Sequence, residues 1–437
     1  MKKKQEVAVF WFRRDLRLED NTGLSEALRS PWPVLPLFLF DTEILEKLDE
    51  PADARVEFIH RTVLELDRKL RAAGSALLVR HGRPSEVFAQ LLEENQLRAV
   101  YTNHDYEPQA IARDRAVEAL LAKRGVELKT FKDQVVFERK DVVKDDGNPY
   151  TVFTPYSKKW RAKLTAADVA ERDCRELSEK VLKYQAPAPP TLEALGFKET
   201  GREFPAPVVD RKLLARYGEV RDFPAEPGTT RLGIHLRFGT VSARELVKAA
   251  QASKAETWLG ELIWREFFMQ ILANFPHVAT GPFRPEYARI KWRNNQKEFE
   301  RWCKGETGVP IVDAGMRELN ATGFMHNRVR MITASFLVKQ LLIDWRWGEA
   351  YFAKKLLDYD LAANNGNWQW VAGCGCDAAP YFRVFNPEIQ AKKFDRDGKY
   401  VKLWVPEVAT LRYPEPMVDL KTARVRALQA YAVVKGK

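Results

Sequence analysis

The hydrophobic rhythm of the chain changes near its middle. In the first part, short apolar runs with strand character (residues 6–12, 33–40, 76–80, 98–102 and 127–131) alternate with segments of helical period. The clearest of these segments places Val56, Ile59, Val63, Leu66 and Leu70 at steps of 3, 4, 3 and 4, which is one face of an amphipathic helix. Strands alternating with helices predict a parallel sheet covered on both faces. No G-x-G-x-x-G accompanies them, so a nicotinamide-type dinucleotide site is not expected.

Residues 184–209 are rich in Pro and Ala and read as an extended linker. Beyond them the strand signal fades and helical patterns dominate, as over 258–275 and 333–345. The expected division is therefore an α/β domain over 1–135, a linking region over 136–209 and an all-α domain over 210–437. The longest apolar runs, such as 34–40, are too short to span a membrane. The basic residues 1–4 lead straight into a strand, which does not fit a secretory signal and makes a cytoplasmic setting the expectation. Cys174 and Cys303 are isolated, and Cys374 and Cys376 fall in a Gly-Cys-Gly-Cys turn. One C-x-C without a second pair reads as small residues in a tight loop, so no metal site is expected.

Charge adds a direction. Residues 1–205 carry 35 Lys+Arg and 35 Asp+Glu, whereas 206–437 carry 36 and 25. The whole excess of +11 thus lies in the C-terminal half. A one-sided basic excess suits a binder of phosphate backbones, and a merely soluble basic domain is equally compatible with charge alone. Nine of the twelve tryptophans also lie after residue 250. Tryptophan in a helical domain is usually core filling. Here Trp264 stands among Glu261, Arg265 and Glu266, and Trp368 and Trp370 among Asn364, Asn365, Asn367 and Gln369. Rings beside arginines and amides suit stacking on bases together with phosphate contacts.

The most specific stretch is Asp358-Tyr-Asp-Leu-Ala-Ala-Asn-Asn-Gly-Asn-Trp-Gln-Trp370. It resembles the flavin-binding signature of the cryptochrome/photolyase family, and Ala378-Ala-Pro-Tyr-Phe-Arg-Val-Phe-Asn-Pro387 continues the match. Val9-Phe-Trp-Phe-Arg-Arg-Asp-Leu-Arg-Leu18, Thr229-Thr-Arg-Leu-Gly233, Trp258-Leu-Gly-Glu-Leu-Ile-Trp-Arg-Glu-Phe267 and Phe324-Met-His-Asn-Arg-Val-Arg-Met331 resemble the family in the same order. The resemblance implies a Rossmann-like α/β N-terminal domain of antenna type and an all-α C-terminal domain that holds FAD and binds ultraviolet-damaged DNA. The matching positions imply that Tyr217, Thr229, Thr230, Arg231, Leu232, Gly233, Trp258, Asp358, Tyr359, Asp360 and Asn364 bind FAD, with Asn364 facing the flavin N5. They imply that Glu261, Trp264, Asn327, Met331 and Trp370 receive a pyrimidine dimer flipped out of the duplex, since the lesion lies inside the stack. Arg221, Arg265, Arg328 and Arg330 are the implied further DNA contacts, and for the first, third and fourth the alternative is a surface ion pair. Trp292, Trp345 and Trp368 match the family's electron-transfer tryptophans.

The implied chemistry is electron donation from excited, fully reduced FADH⁻ to the dimer, ring opening, and return of the electron, with the protein supplying position and electrostatics. Glu261 is then expected to be neutral, its pKa raised by burial, so that it can donate a hydrogen bond. His326-Asn327 with Met331, where (6-4) photoproduct enzymes carry a histidine pair, favours the cyclobutane dimer and a class I member. Asn364, where plant cryptochromes have aspartate, favours repair over light sensing, the alternative reading. Folate-binding members carry an acid soon after a Tyr-Glu pair. Here Tyr106-Glu107 is followed by Pro108-Gln109-Ala110, which argues against folate and leaves a deazaflavin, FMN or no antenna compatible. A monomer with no membrane association is expected.

Overall fold

The computed structural model describes residues 5–380 and 382–434, apart from the side chain of Ser178. The basic residues 1–4, Tyr381 of the family match and the terminal Lys437 lie outside the described residues. The chain forms two units. One comprises the residues up to 138 together with 164–208 and 232–249, and the other comprises 139–163, 209–231 and the residues from 250 onward.

The first unit is built on five parallel strands, β1 (Glu6–Phe12), β2 (Val34–Asp41), β3 (Leu78–Gly82), β4 (Gln96–Asn103) and β5 (Glu127–Phe131), in the order β3-β2-β1-β4-β5. Val9 of β1 lies opposite Leu35 of β2 and Val100 of β4. Every residue of β2, and all of β1 after Glu6, is buried. Helices cover both faces of such a sheet, so its central strands are apolar throughout rather than alternating. The apolar face read at Val56, Val63, Leu66 and Leu70 is the buried face of the helix Ala54–Ala72.

The Pro-rich stretch is extended as expected, but it is strapped to that helix. His60 Nε2 bonds the Pro190 carbonyl at 2.8 Å, the Thr200 amide donates to Glu57 at 2.7 Å, and Phe204 meets Phe58 edge-on at 5.2 Å. Residues 232–249 join this unit through a buried charge cluster. Asp133 accepts from Arg17 at 2.7 Å and from Arg244 at 2.9 Å, and Arg244 also donates to Asp20 at 3.0 Å.

The second unit is helical, with a core centred on Trp302, Met316, Leu337, Trp345 and Trp368. It takes in the helix Phe153–Lys163, within the region read as linking sequence, because Trp160 Nε1 donates to the buried Glu266 at 2.6 Å and Gln270 donates to the Tyr150 carbonyl at 2.9 Å. The helix expected over 333–345 is not continuous. Asn327–Ser335 widens into a π-turn over Phe336–Gln340, Leu342 takes a left-handed φ of 54°, and Asp344 caps a new helix, Trp345–Lys355, by accepting from the Arg346 amide. Apolar periodicity ran through this break because both sides of it face the same core. No helix among the described residues is long and apolar enough to cross a membrane.

Candidate active site

The helical unit encloses a cavity of about 320 Å³. Its polar lining comes from Arg221, Glu261, Asn327, Arg328, Arg330, Asp358, Asp360, Asn364 and Asn367, and its apolar lining from Trp264, Phe268, Met331, Ala334, Phe352, Leu356, Tyr359, Trp368, Trp370 and Val371. Helical spacing explains the convergence. Glu261, Trp264 and Phe268 share one face of Glu256–Asn274, Asn327 and Met331 one face of Asn327–Ser335, and Asp360, Asn364 and Trp368 one face of Leu361–Ala372. Two caps fix where those faces begin. Asp360 accepts from the Ala363 amide at 3.2 Å, and His326 Nδ1 accepts from the Arg328 amide at 3.1 Å. Burial pushes His326 down to about 4, so the ring is neutral at physiological pH and keeps the lone pair this cap requires.

Each arginine of the lining is matched to a carboxylate. Arg221 bonds Glu261, Arg328 Nη2 donates to Asp222 at 2.7 Å, and Arg330 Nη2 donates to Asp358 Oδ2 at 2.9 Å. Burial pushes the Glu261 carboxyl up, against the opposing pull of Arg221. Burial likewise raises Tyr217, to about 12, where the Arg221 guanidinium lies 5.7 Å from its ring centre. The other oxygen of Asp358, Oδ1, is buried without a hydrogen-bond partner, a costly state for an acceptor that has no donor. Asn364 gives its amide to the carbonyl and side chain of Glu349, at 3.1 and 3.0 Å, and burial raises the Glu349 carboxyl. An orphaned acceptor, a neutral amide and walls of indole and aliphatic carbon fit a planar heteroaromatic group that carries N–H and O–H donors, as FAD does.

Among the other positions singled out from sequence, Tyr217 and Trp258 are buried in Arg211–Val220 and Glu256–Asn274, and Arg265 is half-buried on the latter. Thr229 and Thr230 precede Arg231, whose backbone is left-handed at φ 51° and whose guanidinium lies 4.4 Å from the Phe324 ring centre. Leu232 and Gly233 begin the short helix Gly233–Phe238 of the α/β unit, which no side chain caps. Trp292 and Trp345 belong to the same core as Trp368. Trp368 meets Phe352 at 5.0 Å and Trp302 at 6.2 Å, ring centre to ring centre. Sequence reading did not find Glu349, Phe268 or Asp222. Glu349 lies 15 residues from Asn364 and Asp222 lies 106 from Arg328, and only folding brings these pairs together.

A helical unit with a polar-floored, indole-walled cavity, on a chain that also carries a five-stranded parallel α/β unit, fits a flavoprotein, and comparison with known proteins gives that class. Residues 8–175 match the model of the DNA photolyase family, and 258–412 match that of the FAD binding domain of DNA photolyase. A deoxyribodipyrimidine photo-lyase of Synechococcus sp. is 41% identical, with 93% of this chain and 89% of the relative covered. A bacterial class III photolyase from Agrobacterium tumefaciens superposes with a TM-score of 0.87 at 34% identity, covering 100% of this chain and 99% of that one. An archaeal photolyase from Sulfolobus tokodaii, solved with two FAD molecules, gives 0.82 at 36% identity, covering 98% and 99%. The chain belongs to the DNA photolyase family and carries that family's FAD-binding domain.

Proposed function

We propose that the chain repairs cyclobutane pyrimidine dimers in DNA with light and bound FAD, as a monomer of the class I kind. One observation supports this above others. A carboxyl, an amide, a thioether and two indoles (Glu261, Asn327, Met331, Trp264 and Trp370) line the same cavity as Asp358, Asp360 and Asn364. Reduced FAD supplies, when bound and excited, the electron that opens the cyclobutane ring.

The chain's own residues do the rest. Asp358, Tyr359, Asp360, Asn364, Tyr217, Trp258 and residues 229–233 hold the flavin, and the unpartnered Oδ1 of Asp358 gains the donor it lacks. Trp264 and Trp370 flank the flipped dimer, while Asn327 and Met331 set its orientation. Glu261, in its neutral form, donates its O–H to a pyrimidine carbonyl that gains negative charge, a contact that strengthens as the reaction proceeds. Arg221, Arg265, Arg328 and Arg330 take the flanking phosphates. Trp368, Trp345 and Trp292 pass electrons inward from the surface when the flavin is oxidised. The α/β unit serves as the antenna-type domain, with a deazaflavin, FMN or no second chromophore. Its Tyr106 and Glu107 are committed to Glu138 and to Arg14 and Arg237.

The test is repair of an oligonucleotide carrying one cyclobutane dimer, under near-ultraviolet or blue light with reduced flavin, beside a dark control. Light-dependent loss of the dimer is expected, and a (6-4) photoproduct should persist. Protein that binds FAD yet repairs nothing in the light would instead be a sensor of the cryptochrome type.

A further inference from the structure

Trp264 reaches the cavity from the middle of the Glu256–Asn274 helix, packed against rings of its own helix and of another. Its closest ring contact is with Phe153. The two rings stack face to face, with centroids 3.6 Å apart and planes 6° from parallel. Phe153 is absent from the cavity wall that Trp264 forms, so the phenyl ring backs the indole from outside. Phe267 meets Trp264 edge-on at 5.6 Å and Phe268 lies along it at 5.4 Å.

Phe153 is the first residue of its helix, where chains fray and backbone N–H groups lack intrahelical partners. Here the N–H is satisfied from a distant segment, since Phe153 N donates to Asp377 Oδ2 at 3.0 Å. Asp377 stands in the loop that folds back onto the backbone of Trp370, where the Ala379 amide donates to the Trp370 carbonyl at 3.2 Å. The far part of the helix is pinned by Trp160 on Glu266 at 2.6 Å and by Arg161 on Glu256. The ring of Phe153 therefore bears on Trp264, and its backbone is tied to the loop beside Trp370.

We propose that Phe153 is a positioning residue for damage recognition, holding the Trp264 indole at a fixed plane so that the cavity meets a flipped dimer already formed. The assignment rests on the proposed function, because it takes Trp264 to contact the dimer. A flat, ordered ring binds a flat base without first losing rotameric freedom, and face-to-face aromatic contact adds to simple burial. Leucine fills much of the same space but offers no plane.

The experiment uses the full chain with FAD bound and two duplexes, one carrying a single cyclobutane thymine dimer and one undamaged. Phe153→Leu should weaken binding of the dimer duplex about fivefold, leave binding of the undamaged duplex unchanged, and leave repair per bound complex unchanged. Phe153→Tyr, which keeps the ring, should bind the dimer duplex as wild type does. Should the leucine variant fail to fold, Phe153→Met is read in the same way. The assignment is overturned if the aliphatic variant discriminates as well as wild type, if Phe153→Tyr is as weak as Phe153→Leu, or if both duplexes lose affinity equally. A wild-type protein with no preference for damaged DNA overturns the functional reading along with it, whereas a discriminating wild type matched by Phe153→Leu sinks this assignment alone.

Discussion

At the scale of single residues, the proposed repair depends on Glu261 being able to hold a proton. Burial raises its pKa, and the Arg221 guanidinium works against that rise. In the proposed repair the neutral carboxyl is the donor, so repair yield should fall as pH rises through the raised pKa. Glu261→Gln, which donates at any pH, should flatten that dependence, and Glu261→Ala should lower yield several-fold below the raised pKa, converge on wild type above it, and cost less in dimer binding. Yields per absorbed photon across a pH series, with the flavin reduced beforehand, decide this. Trp368 gives a second single-residue prediction. It is 2% exposed, so its effect comes through the cavity it lines. Trp368→Phe should block light-driven reduction of oxidised flavin and spare repair once the flavin is reduced chemically. Unchanged photoreduction would mean another donor serves, and Trp302, 6.2 Å from Trp368, is the first to test. Glu261 and Trp368 were both legible in the sequence, since each lies inside a distinctive local stretch. The pairing of Arg221 with Glu261 was not, because 40 residues separate them.

At the scale of elements, packing tolerances carry the predictions. Gly366 lets the Leu361–Ala372 helix close onto the Glu256–Asn274 helix, and a Cβ there would lie 2.1 Å from Phe268 Cδ1. Gly366→Ala should therefore cost about 1–3 kcal/mol and loosen the cavity that both helices wall, seen as a lower denaturation midpoint together with loss of flavin. In the α/β unit, burial alone would raise Asp133, but Arg17 and Arg244 overcome it and hold the carboxyl down at about 2 against an ordinary 3.8. A depressed pKa contributes stability that is full above the unfolded value and is lost as pH falls through the folded one. The window is thus about pH 4 to 2, and the contribution about 2 kcal/mol. Asp133→Asn should lower stability at neutral pH and flatten its acid limb, as followed by urea unfolding at stepped pH. The five strands were legible because period-two and continuously apolar runs announce themselves within a few residues. The break between Ser335 and Trp345 was not, because a left-handed Leu342 and a capping Asp344 interrupt the backbone without interrupting the apolar pattern. The place of Phe153–Lys163 was hidden for a different reason, since what docks that helix lies more than 100 residues away in Glu266 and Asp377.

At the scale of the molecule, an excess of +11 suggests a protein drawn to any DNA, yet the arginines at the cavity are already engaged. Arg221, Arg328 and Arg330 hold Glu261, Asp222 and Asp358. A phosphate reaching any of them must displace a carboxylate, so the fall of affinity with salt should be shallower than three free cations would give. The consequence is kinetic. On undamaged duplex the exchange yields little, and the protein should leave quickly. On the proposed function, a dimer flipped at a lesion fills the cavity and holds the complex while the exchanges complete, so the pairs would set how long a wrong site is sampled rather than how tightly a right one is held. Asp222→Asn, which deprives Arg328 of its carboxylate, should lengthen single-molecule dwell times on undamaged DNA and slow the search for damage, even though no contact to the lesion has changed.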